Sequence, residues 1–390
     1  MSGKTLLIAA ALAVLALPVQ AQQKVKIGYV NTFSGPNAVI GNEQRDAFEL
    51  ALDQLGRKMG GLEVEVTYAD DQQKPDVGKQ VTEKLIQSNA VHFLTGYIWS
   101  NVLLASVKTA VDAETFLISG NAGPSQIAGE QCSPWFFSIS WQGDQTSMAL
   151  GEALNQRAVK KLFIIAPNYA AGKDVAEGVK RTYKGEVVGQ EMTRWPEQLD
   201  FAVELSKLRS ANSEAAFVFY PGAAGRQFFQ QYAQSGLKEK TTLYSVFSVD
   251  SLNLPQIGDS AVGSLSTQSW VADLDNPVNK KFVADFRAKH QRTPSFYAAQ
   301  AYDSVMMINA AVAAAGGNLA NKEAMRQAMR KADFPNTRGK IRFGNNHFPI
   351  QNFYLQEVVK DARGEYGLKG LSVALKDSQD PYHDKCTMKW

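Results

Sequence analysis

At 390 residues the chain is too long for one ordinary core and suits two domains. Hydrophobic content of 45%, charged content of 20% and a net charge of +3 belong to a folded globular protein; they exclude a disordered chain and give no support to a nucleic-acid partner, since no dense basic cluster occurs.

The first residues stand apart from the rest. Lys4, an apolar run from Leu6 to Leu17 too short to span a bilayer, and the small-x-small site Val19-Gln20-Ala21 read as a secretory signal peptide over residues 1–21, cut after Ala21. Cleavage removes Lys4 and lowers the net charge from +3 to +2. No later segment is apolar enough to cross a membrane.

Lys24 to Val30 then alternates as a strand, followed by the loop Asn31 to Asn37 and a helix from about Glu43 that carries Phe48, Leu52, Leu55 and Met59 on one face. Gly60-Gly61 ends that helix. Leu62 to Tyr68 is a strand, Asp70-Asp71 to Pro75 a solvated loop, Asp76 to Ser88 a helix, Val91 to Thr95 a buried strand and Thr115 to Ser119 a short one. The pattern restarts with strands at Lys161 to Ala166, Glu186 to Met192, Ala215 to Tyr220 and Thr241 to Phe247, separated by helices at Gly172 to Tyr183, Leu199 to Ser210 and Ala224 to Ser235. Such alternation means parallel sheets with helices on both faces, in two successive units. From Trp270 three helices follow, opened by Asn276-Pro277, Pro294 and Asn321, and they return to the first unit before late strands at Ile341 to Phe343 and Phe353 to Val359. A chain that visits each unit twice makes two lobes joined by hinge strands, and no Gly/Ser-rich tether appears.

Ligands of open parallel sheets bind outside the carboxyl ends of the strands. Here the most informative end is Gly96 to Asn101, a loop leading into a helix whose first-turn N–H groups offer a seat for an anion. Ser100 and Asn101 either serve that seat or merely cap the helix. The other ends are Phe33-Ser34, Gly120 to Gly123, Asn168 to Gly172, Tyr220 to Gly225 and Phe247 to Asp250. Between them they supply Phe33, Tyr97, Trp99, Tyr169, Tyr220 and Phe247, which either fill core or wall a site for a flat ring. There is no Walker motif, no dinucleotide glycine fingerprint, no His-Glu-x-x-His and no Gly-x-Ser-x-Gly, and Ser34 and Ser100 have no histidine nearby in sequence. Four scattered histidines and two cysteines make no metal site, and no cofactor is expected. Cys132 and Cys386, in an oxidising compartment, read as a disulfide that ties the tail to the body, with free buried thiols as the alternative. These absences point to a binding protein, not an enzyme.

Ser34-Gly35-Pro36 with Gly41, Asp70-Asp71, Gly96 to Ser100, Ile118-Ser119, Ala166 to Gly172 with Asp174, and Pro294-Ser295 to Tyr302-Asp303 resemble the branched-chain amino acid type of periplasmic solute-binding proteins of ABC transporters. Asn121-Ala122-Gly123-Pro124-Ser125, Trp135-Phe136-Phe137, Ala166-Pro167-Asn168-Tyr169, Asp275-Asn276-Pro277 and Cys386-Thr387-Met388 are similar to its aromatic-acid subgroup, which takes up lignin-derived benzoates and phenylpropenoates. The resemblance implies an α/β fold of the two-lobed type 1 periplasmic binding protein. Its lobes are expected at 24–141 plus 272–343 and at 142–271 plus 344–375, with residues 376–390 as a tail. It implies a periplasmic monomer that closes on a small aromatic carboxylate and delivers it to an inner-membrane permease and its ATPase. Amino-acid binders of this type hold the ligand's ammonium with an Ala-Thr pair, where this chain has Ala122-Gly123; a branched-chain or other amino-acid receptor remains the alternative. The expected arrangement seats the carboxylate on Ser100, Asn101 and the backbone of Asn121, Ala122 and Gly123. Phe33, Ser34, Tyr97 and Trp99 stand around the ring, Tyr169, Tyr220 and Phe247 come across from the second lobe, and Asp250 or Tyr169 meets a ring hydroxyl.

Overall fold

The computed structural model describes residues 23–196 and 198–389; the expected signal peptide lies outside the described residues. The first lobe opens with β1 (Val25–Asn31), α1 (Ala38–Gln54), β2 (Lys58–Met59), β3 (Leu62–Asp70), α2 (Pro75–Gln87), β4 (Phe93–Gly96), α3 (Ser100–Asp112), β5 (Phe116–Ser119), α4 (Ser125–Ala128) and β6 (Phe136–Ser138). The second lobe carries α5 (Gln145–Gln156), β7 (Lys161–Pro167), α6 (Ala170–Thr182), β8 (Glu186–Thr193), α7 (Ala202–Ser210), β9 (Ala215–Val218), α8 (Ala223–Gln234), β10 (Thr242–Ser245), α9 (Leu254–Ile257) and β11 (Leu265–Gln268). The chain then returns to the first lobe with α10 (Pro277–His290), α11 (Phe296–Ala314) and α12 (Lys322–Lys331), and ends in the second with β12 (Arg342–Phe343), β13 (Pro349–Lys360) and β14 (Tyr366–Ser378).

The first sheet runs β2-β3-β1-β4-β5-β6. Its strands from β3 to β6 are parallel, and every residue of β4 and β5 is buried, as expected of central strands covered on both faces. The second sheet runs β12-β13-β11-β10-β9-β7-β8, with β14 beside β13. Here β8 to β11 are parallel, while β13 lies antiparallel to β11, β12 and β14. So the second sheet is parallel only in its first five strands. Arg342–Phe343 pairs with β13 and so sits on the second sheet, although the expected division after residue 343 assigned it to the first lobe, and β14 runs on to Ser378.

Two local expectations change. The first helix starts at Ala38, directly after Asn37, and Gly60 and Gly61 turn a β2–β3 hairpin at φ of +54° and +85° instead of ending a helix, which moves Met59 into a strand. The lobes are joined by three crossings, after β6, after β11 and after α12. Arg338, on the third, stitches them: its guanidinium donates to Ser140 O, to Gln351 Oε1 at 2.7 Å and to Asp303 Oδ2, and Gln351 Nε2 donates to Ser140 O at 2.6 Å. The Arg338 side chain is 3% exposed and that of Asp303 fully buried, so neither side chain has water as an alternative partner.

Candidate functional site

The carboxyl ends of β4 and β5 build the floor. Gly96 at φ +100° and Tyr97 at φ +59° turn the chain sharply, and the Tyr97 N–H donates to Val30 O at 2.7 Å. This turn delivers Ile98, Trp99 and Ser100 to the cleft between the lobes. The helix α3 begins at Ser100, with Trp99 at the cap position and no side-chain cap. Its first backbone bond is Leu103 N–H to Trp99 O, and among the described residues the N–H groups of Ser100, Asn101 and Val102 have no acceptor. The Ser100 hydroxyl is likewise unengaged among the described residues, so the positive end of the helix dipole and a hydroxyl donor meet at one place.

After β5 the backbone is tightly held. Ala122 N–H donates to Tyr97 O, Ser119 Oγ donates to Ala122 O, and Gly143 N–H donates to Gly123 O at 2.7 Å. Ala122 N–H is therefore spent inside the protein and is not a ligand donor. Asn121 gives its Nδ2 to Ile98 O at 2.8 Å and keeps a buried Oδ1 with no partner.

Rings from both lobes line a cavity with about 400 Å³ of space free of protein atoms, open solvent at its mouth included. Trp99, Trp141 and Tyr297 come from the first lobe and the hinge; Tyr169, Phe219 and Phe247 come from the second. Trp141 stacks on Phe247 at 4.5 Å, Tyr169 stacks on Trp195 at 4.8 Å, and Trp195 reaches Trp99 across the cleft at 5.3 Å. Phe247 has φ +56°, an αL conformation that its surroundings must hold in place. The Trp99 indole is fixed from behind: Nε1 donates to Thr32 Oγ1 at 2.8 Å, and Thr32 Oγ1 donates to Asp71 Oδ1 at 2.5 Å. Among the described residues that line it, none is charged. The hydroxyls of Tyr169 and Tyr297 have no hydrogen-bond partner among the described residues, and burial pushes both well above the ordinary phenol range.

Of the expected site residues, Trp99, Ser100, Asn121, Ala122, Gly123, Tyr169 and Phe247 line this cavity. Six others are elsewhere. Phe33 packs on Tyr29 and Tyr68 with Arg45 over its ring, and Ser34 is exposed beside it. Tyr97 turns under the sheet, where its hydroxyl meets Thr82 Oγ1 at 2.8 Å. Asn101, one residue into α3, is not in the lining, and its Oδ1 is buried with no hydrogen-bond partner among the described residues. Tyr220 bonds Thr193 Oγ1 and packs on Phe201 and Phe228 in the second lobe's own core. Asp250 accepts from the N–H groups of Leu252 and Asn253 in its own turn.

The lining also includes Ile98, Trp141, Gly143, Ala171, Val175, Phe219, Pro221 and Tyr297, which the sequence reading passed over. Side chains alternate along an extended chain, so once Tyr220 points into the lobe, Phe219 and Pro221 point at the cleft. Tyr297 carried a readable signal: Ser295 caps α11 by accepting from Tyr297 N–H, which marks a helix start at the cleft.

Asp71 is fully buried, contrary to the solvated loop expected for Asp70-Asp71. Burial raises its carboxyl from 3.8 to about 6 and does the same to Asp250. The folded chain therefore binds these protons more tightly than the unfolded chain. Their contribution to stability is complete below pH 3.8 and is lost as pH rises through about 6, at about 1.4 kcal/mol per group and pH unit in between. We expect the melting temperature to rise from pH 7 to pH 5, and Asp71→Asn with Asp250→Asn to flatten that rise. A double variant with the slope of the parent in a calorimetric pH series would refute this.

Among the described residues no cluster of His, Cys, Asp or Glu could hold a metal ion, and no helix is long and apolar enough to cross a membrane. Two α/β lobes on a triple crossing, with an aromatic-lined cavity between them, have the architecture of a small-solute receptor. Residues 24–363 match the periplasmic binding protein family, and the chain belongs to that family. It is a solute-binding protein, not an enzyme. It is 28% identical to the Leu/Ile/Val-binding protein homolog 6 of Brucella melitensis, over 95% of this chain and 97% of that one. A solute-binding protein of an ABC transporter from R. palustris, solved in complex with benzoate, superposes with a TM-score of 0.88 at 29% identity, over 94% of this chain and 100% of the other. A second, from Rhodopseudomonas palustris BisB5 in complex with 3,4-dihydroxybenzoic acid, gives 0.86 at 27% identity, over 92% and 99%.

Proposed function

We propose that this protein is the periplasmic receptor of an ABC importer and that it binds a small aromatic carboxylic acid, a benzoate or a phenylpropenoate, as a monomer. The permease and its ATPase receive the ligand from it. The observation that carries this reading is the lining: rings from both lobes, a helix N-terminus with a serine hydroxyl unengaged among the described residues, and no charged side chain among those residues. The ligand's carboxylate sits on Ser100 Oγ, the first-turn N–H groups of α3 and Gly123 N–H, where the dipole favours an anion. Trp99, Trp141, Tyr169, Phe219 and Phe247 hold the ring, and Tyr169 or Tyr297 takes a ring hydroxyl.

An amino acid fits less well. Burying an ammonium without a carboxylate partner costs several kcal/mol, and among the described residues no acid lines the cavity. The two solved neighbours that hold benzoate and 3,4-dihydroxybenzoic acid support the aromatic reading, while the Brucella relative's name favours a branched-chain amino acid. Titration calorimetry of the chain from Gln22 onward against benzoate, 4-hydroxybenzoate, 4-coumarate, ferulate and leucine separates them. We expect tight binding of at least one aromatic acid with leucine silent, and a loss of about tenfold for Ser100→Ala. Leucine binding with the aromatics silent would replace this reading by the amino-acid one.

A further inference from the structure

Two contacts join the lobes without touching the cavity. On one side, Asn37 of the first lobe accepts through Oδ1 from the N–H of Ala223, the first residue of α8 in the second lobe, at 3.2 Å. Its Nδ2 is held by Gln73 Oε1 at 2.9 Å, which aims the carbonyl oxygen outward. Gly222 lets the backbones meet: at φ +65° a Cβ there would stand 2.2 Å from Asn37 Oδ1. On the other side, Asp174 of the second lobe accepts from Ser125 of the first, Oδ2 from the N–H at 2.9 Å and Oδ1 from the hydroxyl at 2.8 Å. Both acceptors are at least nine-tenths buried.

Each contact adjoins the lining. Ser125 lies two residues beyond Gly123, Asp174 directly precedes Val175, and Ala223 lies two residues beyond Pro221. None of Asn37, Ser125, Asp174 and Ala223 lines the cavity itself. The contacts thus flank the ligand space on both sides and exist only while the lobes are together.

We infer that Asn37 and Asp174 are closure latches, positioning residues that hold the lobes shut around the solute and set how slowly it leaves. Closure is favoured only by interactions better made in the closed state, and these two pairs, with partners in different lobes, meet that condition. Asp174, which takes two donors against one at Asn37, is the stronger latch. Encounter takes place in the open form, where neither pair exists, so losing a latch raises the dissociation rate and leaves the association rate alone. This inference rests on the solute-receptor class and not on the aromatic reading.

The test uses the full mature chain with one spin label on an exposed position of each lobe. Interlobe distances are measured without ligand, with benzoate and with leucine, in the parent, Asn37→Ala, Asn37→Asp and Asp174→Ala. Stopped-flow release is followed for whichever compound closes the parent. We expect the short distance to lose population in Asn37→Ala and Asp174→Ala, release to quicken roughly tenfold in the latter and several-fold in the former, and association to stay unchanged. Asn37→Asp, which keeps the acceptor, should restore the parent's behaviour, and ligand-free melting temperatures should not move. Closure by leucine and not benzoate would sink the aromatic reading while still testing the latches. A parent that shows the short distance under none of the three conditions, or alanine variants that keep the parent's distances and release rates, would overturn the inference.

Discussion

Replacing both Cys132 and Cys386 by serine is expected to cost roughly 5 kcal/mol of folding stability, through the loss of a cross-link between residues 254 positions apart. In the chain-entropy picture the cost grows with the logarithm of the loop, and few disulfides close one this long. The tail does not hang on the disulfide alone. Asn346 Nδ2 donates to Ala128 O and Asp380 Oδ2, Asn345 Nδ2 to His383 O, and Arg181 and Asp144 hold the Tyr382 hydroxyl. The serine variant should therefore keep its native fold at room temperature and lose its margin on heating or in denaturant. No tail residue lines the cavity, so ligand affinity should stay within twofold of the parent. Denaturant melts of parent, reduced parent and double-serine variant check this together. The reduced parent should coincide with the variant, and a variant midpoint equal to that of the oxidised parent would show that the tail's polar contacts alone carry the stability.

Much of this architecture is legible in the chain because the apolar runs are short and regular. Strands such as Phe93–Gly96 and Phe116–Ser119 are buried on both faces and read as continuous apolar segments, so the sheets and the strand ends could be found. The hinge could not. Ser138, Ser140, Gln142, Asp144 and Gln145 are all buried, yet their polarity reads as a solvated loop, because their side chains satisfy one another within the stretch, as Gln142 does with Asp144, and the remaining partners lie far along the chain, as with Gln145 to Ser378 O and Gln351 to Ser140 O. That hid β6, α5 and the crossing that brings Trp141 to the cavity. β14 was missed for the opposite reason: Leu371 and Val373 are exposed and Gly367 and Gly370 interrupt the pattern, so no buried face announces a strand. At the site itself, naming the strand ends found the right places, but choosing Tyr220 over Phe219 and Pro221 required the side-chain parity, which one residue of error in a strand end reverses.

Gly123→Thr is expected to abolish ligand binding and not to convert the site to amino acids. In the amino-acid binders that the chain resembles, a threonine at this place serves the ligand's ammonium, and grafting it looks like a single-residue change. The backbone forbids it. A Cβ on Gly123 would stand 2.0 Å from Trp141 O and 3.0 Å from Trp141 C, main-chain atoms that no rotamer change can move. Gly123 O meanwhile accepts from Gly143 N–H, so the segment that must shift is the first crossing, which also carries a cavity wall. Forcing a methyl group into such a contact costs about 2–3 kcal/mol or more, which is roughly a hundredfold in affinity when the displaced strand is part of the site. Gly123→Ala should therefore already lose most of the ligand binding, with circular dichroism unchanged, and Gly123→Thr should lose the rest without gaining leucine. Calorimetry with benzoate, 4-hydroxybenzoate and leucine decides it. Parent-like affinity in Gly123→Ala would mean that the crossing yields without harm. Leucine binding in Gly123→Thr would mean that the cavity differs from an amino-acid site by one hydroxyl and not by the lack of an acid among the described residues of its lining.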